Sequence, residues 1–344
     1  MKSSTKWLWS AGILAALVLV PEIGLRIAKF EYRSGVRFGF PDPQTMAFFK
    51  PDERLFWKLK TPAESGSLRG DTAGNSRGFP GPDPAIPKPA DAYRALFLGD
   101  SCTFQGYPWL AAERMRALGI PEGKRAEAVS MAVPGYTSLQ GRRAAEAYGL
   151  EVEPDVVFVF FGWNDHWAAY REIDSRKTLS APGGGLARCA AVVLEHSRLA
   201  QAAAWFSTHV LRVERPLELP RVLPDEYRAN LDAIRGLFAA RSIPVVFVTA
   251  PTTFYTVGVP PKLVEDRFAA SAEEAIRLHR EYNAIVRAVA VGPGAILLDL
   301  EAECAASPDL PTWFLNDGVH FSPAGREWIA GRIATLVRDR VLAK

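Results

Sequence analysis

The chain has 344 residues, 48% of them hydrophobic and 23% charged, with a net charge of +3; this is an ordinary globular composition with room for one large domain or two small ones. So small a charge, without a basic block interleaved with aromatics, excludes a nucleic-acid partner. The three cysteines, Cys102, Cys189 and Cys304, form no CxxC pair, and no HExxH, GxxxxGKS/T or GxGxxG motif occurs, so neither a metal nor a cofactor is expected.

At the N-terminus, Lys2 and Lys6 lead into Trp7–Val20, fourteen residues without a charge. Pro21 and Glu22 interrupt the run, and Ile23–Ala28 resumes it except for Arg26. Such a length is nearer a signal-peptide core than the roughly 20 residues that span a bilayer. The bulky Leu17-Val-Leu-Val-Pro21 offers no small-x-small cleavage site. Residues 1–28 are therefore read as a membrane-bound signal anchor; a cleaved signal peptide and a soluble amphipathic helix are the alternatives. Arg26, Lys29, Arg33 and Arg37 outnumber Lys2 and Lys6, which speaks against an N-in orientation. The short basic head before an apolar run still favours export, with the remainder of the chain extracytoplasmic.

Residues 29–91 are rich in proline, glycine and aromatics and show little periodicity. Pro41, Pro43, Pro51, Pro62, Pro80, Pro82, Pro84, Pro87 and Pro89 argue against long regular elements. Yet Phe38, Phe40, Phe48, Phe49, Phe56 and Trp57 are too many for a free linker. The expectation is an irregular layer packed on the next domain, with a hairpin around Leu55–Leu59 and a pinning turn at Asn75–Phe79.

From Ala92 onward strands and helices alternate. Tyr93–Leu98, Ala126–Met131, Val156–Phe161, Val245–Thr249 and Ala295–Leu300 read as strands. Tyr107–Leu118, Leu139–Tyr148, Asp225–Ala240, Ala272–Val291 and Pro323–Val341 read as helices. Val156–Phe161 and Val245–Thr249 are nearly continuous β-branched and aromatic runs, as strands covered on both faces require. The alternation predicts a three-layer α/β/α sandwich around a parallel sheet of about five strands, with right-handed crossovers. One connection is too long. Roughly 60 residues separate Phe161 from the helix beginning near Asp225, against the usual handful. An insertion at about 166–224 is therefore expected, with a helical segment from about Leu186 to Val213. An extra packed helix is its plain reading, and its place after a site loop makes it the best candidate for covering a substrate.

Four short stretches fall where residues meet at one sheet edge. Gly99-Asp100-Ser101 ends the first strand, and a serine there sits where open α/β folds place ligands. Serine needs a base and an oxyanion hole to act as a nucleophile. Ala132–Tyr136 follows the second strand, Gly162-Trp-Asn-Asp165 the third, and Asn316–His320 the fifth after a short excursion. Taken singly, each has an ordinary structural reading as turn or cap composition. Their order and separation carry the argument.

Together, Gly99-Asp100-Ser101, Gly135, Gly162-Trp163-Asn164-Asp165 and Asp317-Gly-Val-His320 make the chain resemble the SGNH/GDSL hydrolase family over about Ala92–Val341. Gly99–Gly106 and Gly135–Gln140 are most similar to membrane-anchored or exported bacterial members. The resemblance implies a flavodoxin-like strand order, with Ser101 as nucleophile, His320 as its base and Asp317 as the acid that orients His320. It implies an oxyanion hole made by the backbone N–H groups of Ser101 and Gly135 and the side-chain amide of Asn164. Ser101 would lie at the N-terminus of a helix whose dipole favours developing negative charge. Asp100 and Asp165 are expected to be structural, tying down the turn and bracing the Asn164 loop. Cys102 is expected to pack; His166 adjoins the oxyanion loop, where substrate contact is weighed against the commoner reading of a satisfied loop histidine; and His196, His209 and His279 receive no role. The implied activity is hydrolysis of O-acyl, including acetyl, esters through an acyl-serine, on a small molecule or an extracytoplasmic glycan. An O-acyltransferase with the same triad is the first alternative, and a non-catalytic binding or assembly protein the second.

Overall fold

The computed structural model describes residues 3–30, 48–65, 73–170, 172–177, 196–211 and 216–343. The chain divides into two units, one comprising residues 1–47 and 178–215 and the other residues 48–177 and 216–344.

In the larger unit the chain enters through an antiparallel hairpin, β1 (Phe49–Asp52) and β2 (Phe56–Leu59). The hairpin predicted around Leu55–Leu59 is therefore present, and Leu55, Phe56, Trp57 and Leu59 are all buried. The turn at Asn75 forms as expected, its side-chain oxygen accepting the N–H groups of Arg77 and Phe79 at 3.0 and 3.1 Å.

Next come β3 (Ala92–Gly99), β4 (Arg125–Ser130) and β5 (Val156–Phe160), the short pair β6 (Ala168–Tyr170) and β7 (Pro216–Pro220), and then β8 (Val245–Val248) and β9 (Ala295–Leu298). Five of them form one parallel sheet in the order β4-β3-β5-β8-β9, the flavodoxin-like arrangement. β3, β5 and β8 are buried along their whole length. That is why these strands read as unbroken apolar runs rather than alternating ones: helices cover both faces. Helices Tyr107–Ala117, Ser138–Ala144, Pro224–Ala239, Ala272–Val289 and Pro323–Leu336 supply the outer layers. Two predicted helices end early, because the backbone widens into π-type turns at Ala145–Gly149 and Val337–Val341.

β6 and β7 are antiparallel and close the base of the predicted insertion, pairing Ala168 with Pro220 and Tyr170 with Pro216. Of the helical segment expected from Leu186 to Val213, the described part is the helix Arg198–His209; residues 178–195 and 212–215 lie outside the described residues, Cys189 among them.

The smaller unit pairs that helix with the N-terminal one, Ser3–Ile27. The Glu22 carboxylate accepts the Arg198 and Leu199 N–H groups at 3.1 and 2.8 Å and the Ser197 hydroxyl at 3.0 Å. The charge-free run thus sits within a 25-residue helix that continues through Pro21. Among the described residues, no helix is long and apolar enough to cross a membrane, so a transmembrane span at residues 1–28 is not supported.

Candidate active site

The β3 strand stops at Gly99 because the next turn folds back on it. A Cβ at Gly99 would lie 2.1 Å from the Thr103 hydroxyl, so only glycine fits. Asp100 caps the turn that follows, Oδ1 accepting the Cys102 N–H at 2.9 Å. Ser101 is its first residue. That turn is only Ser101–Phe104, and the longer helix restarts at Tyr107 after Gly106, which has a φ of 101°. The expected dipole of a long helix is thereby reduced to the local N–H groups of one turn, since the macrodipole needs aligned successive turns.

His320 arrives on a loop between the turn Leu310–Trp313 and the helix Pro323–Leu336. This loop is held from several sides. Thr252 donates its hydroxyl to the Gly318 carbonyl at 2.9 Å, and Gln105 accepts the Phe321 N–H at 2.9 Å. Asp317 Oδ1 accepts the N–H groups of Val319 and His320, both at 2.9 Å. Its Oδ2 is 2.7 Å from His320 Nδ1, and His320 Nε2 is 2.8 Å from Ser101 Oγ. Residues 219 positions apart thus form one continuous hydrogen-bonded chain.

The electrostatics match that chain. Burial alone would raise the Asp317 carboxyl, but the hydrogen bonds from His320 and the two backbone N–H groups outweigh it and hold Asp317 below its usual range. Burial pulls His320 down, yet the hydrogen bond and charge of Asp317, with the charge of Asp100, leave it above its ordinary value. His320 therefore stabilises an added proton, as a base taking one from a hydroxyl must.

The three expected oxyanion donors follow the carboxyl ends of β3, β4 and β5. Among the described residues, the backbone N–H groups of Ser101 and Gly135 have no acceptor. Asn164 donates one amide hydrogen to Asp100 Oδ2 at 3.3 Å, which leaves the second for a ligand. Asp100 therefore does more than tie down its own turn, because it also orients Asn164. Burial pushes the Asp100 carboxyl up to about 6, although the Cys102 N–H and the nearby His320 oppose the rise. Asp165 braces the loop, as its position suggests: Oδ1 accepts the Ser138 N–H at 2.8 Å and Oδ2 the Gly162 N–H at 3.2 Å. Cys102 is wholly buried, and burial pushes its thiol well up, so it stays protonated.

His166, which the sequence places as either a substrate contact or a satisfied loop histidine, forms a buried pair with His279, their ring nitrogens 3.1 Å apart. The carbonyl of Ala250, 2.8 Å from His279 Nε2, can only accept, so that nitrogen carries the hydrogen. Nδ1 of His279 then accepts from Nε2 of His166. Trp163, next to Asn164, stacks on His279 with ring centroids 4.1 Å apart. The pair is thus packing behind the site loop. Local sequence carried no signal for it, because the two histidines lie 113 residues apart.

A hydrogen-bonded, part-buried serine–histidine–aspartate chain at the carboxyl edge of a parallel α/β sheet, beside the N–H groups of Ser101 and Gly135 and the Asn164 amide, defines a serine hydrolase site. The profile of the GDSL-like Lipase/Acylhydrolase family matches residues 97–328, and the chain belongs to that family. It is a GDSL-type serine ester hydrolase. No curated protein matches the chain. Among solved structures it is similar to a lipase/acylhydrolase from Enterococcus faecalis, at 17% identity and a TM-score of 0.47, covering 72% of this chain and 96% of that one. An acetyl xylan esterase is similar at 17% identity and a TM-score of 0.44, covering 71% and 99%. The psychrotrophic esterase EstA from Pseudoalteromonas sp. is similar at 14% identity and a TM-score of 0.41, covering 73% and 99%.

Proposed function

We propose that Ser101 attacks the carbonyl of an O-acyl ester, acetyl esters included, while His320 Nε2 takes the hydroxyl proton and Asp317 holds the imidazole. The tetrahedral oxyanion is received by the N–H groups of Ser101 and Gly135 and the Asn164 amide. His320 then returns the proton to the leaving alcohol, and water attacks the acyl-Ser101 by the same route in reverse. The single observation that carries this reading is the Ser101–His320–Asp317 chain, with links of 2.8 and 2.7 Å.

The alcohol side is proposed to be a small molecule or an extracytoplasmic glycan, and the N-terminal helix to attach the protein to a membrane. The helix exposes Trp9, Ile13, Leu17, Val18, Leu19, Val20, Ile23 and Ile27, which supports an apolar environment for it. The test of the chemistry is a fluorophosphonate probe, which should label the wild type and not Ser101→Ala. Wild-type protein that takes up no probe and cleaves no ester overturns the reading. Product analysis with an acetylated oligosaccharide, with and without a second sugar acceptor, separates hydrolysis from transfer.

A further inference from the structure

Gly135 contributes to the site through a backbone N–H alone, and its φ of +82° is a region that glycine occupies without strain. Pro134 and Gly135 sit at the centre of a turn closed by the Tyr136 N–H on the Val133 carbonyl at 3.1 Å, which leaves the carbonyls of Pro134 and Gly135 to be held from outside the turn. Two buried side chains from outside the four motifs do this. The indole Nε1–H of Trp57 donates to the Pro134 carbonyl at 3.1 Å. Nη1 of Arg221 donates to the Gly135 carbonyl at 2.9 Å. The Pro134 carbonyl and the Gly135 N–H belong to one rigid peptide unit and point in opposite directions. Holding the carbonyl therefore fixes where the N–H points, and donation into that carbonyl polarises the amide and strengthens its N–H as a donor.

We propose that Trp57 and Arg221 are positioning residues for the Gly135 oxyanion donor, so that the N-terminal hairpin and the base of the insertion complete the hole. This rests on the reading of Gly135 given under Proposed function. Both side chains are themselves restrained. Tyr136 donates its hydroxyl to the Trp57 carbonyl at 2.6 Å, and its ring meets the indole edge-on with centroids 5.8 Å apart. Arg221 is gripped by Asp174, 2.8 Å from Nη2 to Oδ2, and Asp174 also binds Lys177 at 2.6 Å and the Thr137 hydroxyl at 3.2 Å. The side chains of Arg221 and Asp174 are 7% and 0% exposed. A buried ion pair is weak evidence for stability, because desolvation offsets much of its attraction. Its placement against the Gly135 carbonyl gives it a positional purpose.

The decisive variant is Trp57→Phe, which keeps a buried aromatic ring while removing the Nε1–H donor together with part of the indole's volume. Ester turnover by the wild type, and its loss in Ser101→Ala, is established first, so a failure of the proposed chemistry shows there and not in the hairpin. Trp57→Phe should then lower kcat about tenfold, less than the roughly 10²–10³ lost with a whole oxyanion donor, with KM within about twofold and a cooperative urea transition whose midpoint falls only by what the lost indole volume costs. The rate of labelling by a fluorophosphonate, whose phosphoryl oxygen enters the same hole, should fall by a similar factor. A variant that folds like the wild type with unchanged kcat and labelling rate overturns the proposal, as does a change confined to KM. Should Trp57→Phe fail to fold, Tyr136→Phe, which loosens Trp57 without touching the Pro134 carbonyl, decides instead. A threefold or greater fall in kcat at constant KM supports positioning, and no fall overturns it.

Discussion

At the carboxyl edge of the sheet, every residue assigned to the chemistry lies within a few positions of a strand end or a helix start. Ser101 follows β3, Gly135 follows β4, Asn164 follows β5, and His320 precedes the helix Pro323–Leu336. The hairpin Phe49–Leu59 and the base of the insertion touch the same site from the other side, through residues 77 and 86 positions from the backbone they hold. In the function proposed here the first region makes the bonds to substrate, and in the further proposal the second keeps the first in place. Losses at the sheet edge should therefore appear in the chemical step by orders of magnitude, and losses in the hairpin by factors of ten or less.

The largest expected effect tests the sheet edge. His320→Ala should lower kcat by at least about 10³-fold, because His320 is the base hydrogen-bonded to the Ser101 hydroxyl. Its melting temperature should stay near that of the wild type, since His320 is only part-buried; loss of the cooperative melt would instead make this histidine structural. In the wild type, activity needs neutral His320, whose proton affinity is raised despite burial by the Asp317 hydrogen bond and charge. Activity should therefore rise with pH through a midpoint above 6.5. A pH–rate profile with its acid limb below that value contradicts the assignment.

Asn164→Ala comes next, with an expected loss of roughly two to three orders of magnitude in kcat, the range for one oxyanion donor. Steady-state kinetics on a chromogenic ester checks it, and an unchanged kcat removes Asn164 from the hole. Because Asn164 is also bonded to Asp100, Asp100→Asn should give a smaller fall in the same assay: the amide keeps the shape and loses the charge that orients Asn164.

The same contrast explains what could be read before any coordinates. Strands such as Val156–Phe160 announce themselves, because burial on both faces demands consecutive apolar residues. The hydrogen-bonded Ser101–His320–Asp317 chain and the motifs that carry the proposed oxyanion donors are legible because each motif is local and its turn constrains the residue types, as at Gly99. Trp57 was visible only as one aromatic among many in a proline-rich layer, and Arg221 as one loop arginine. Their partners are backbone carbonyls, which any sequence supplies, at separations no periodicity encodes. The division of labour between Asp100's own turn and Asn164 was hidden for the same reason. A helix was foreseen in the insertion, but its pairing with the N-terminal helix through Glu22 spans 175 residues and left no local trace.

Behind the site loop, the buried His166–His279 pair should affect stability rather than rate. Burial pushes His279 from its ordinary 6.5 down to about 4; burial and then the nearby His279 push His166 down as well. Between about pH 6.5 and pH 4 the unfolded chain binds protons there that the folded protein does not, so these groups destabilise the fold as pH falls. Asp165 and Asp100, pushed up by burial to about 7 and about 6, act in the opposite sense. The informative quantity is therefore a difference. Denaturant unfolding of wild type and His279→Gln should show the wild-type advantage shrinking by up to about 3 kcal/mol from pH 7 to pH 4. A constant difference would mean that His279 titrates alike in both states.

The smallest effect belongs beside the hairpin and sharpens the comparison within one region. Glu64 binds Lys50 of β1 at 2.8 Å and the Thr61 N–H at 2.9 Å, so the charged pair looks like a strong clamp on the strand. Both side chains are substantially exposed, at 43% and 31%. Water screens such a pair and ordering two long side chains offsets most of its attraction. Glu64→Gln should therefore leave kcat within about twofold and the melting temperature within about 2 °C. Trp57, on β2 of the same hairpin, holds the Pro134 carbonyl through a longer hydrogen bond from a fully buried position, and its loss should be read in turnover. If Glu64→Gln lowered kcat as much as Trp57→Phe, the hairpin would act by its overall attachment, and the specific hold of Trp57 on the Pro134 carbonyl would have no separate part in catalysis.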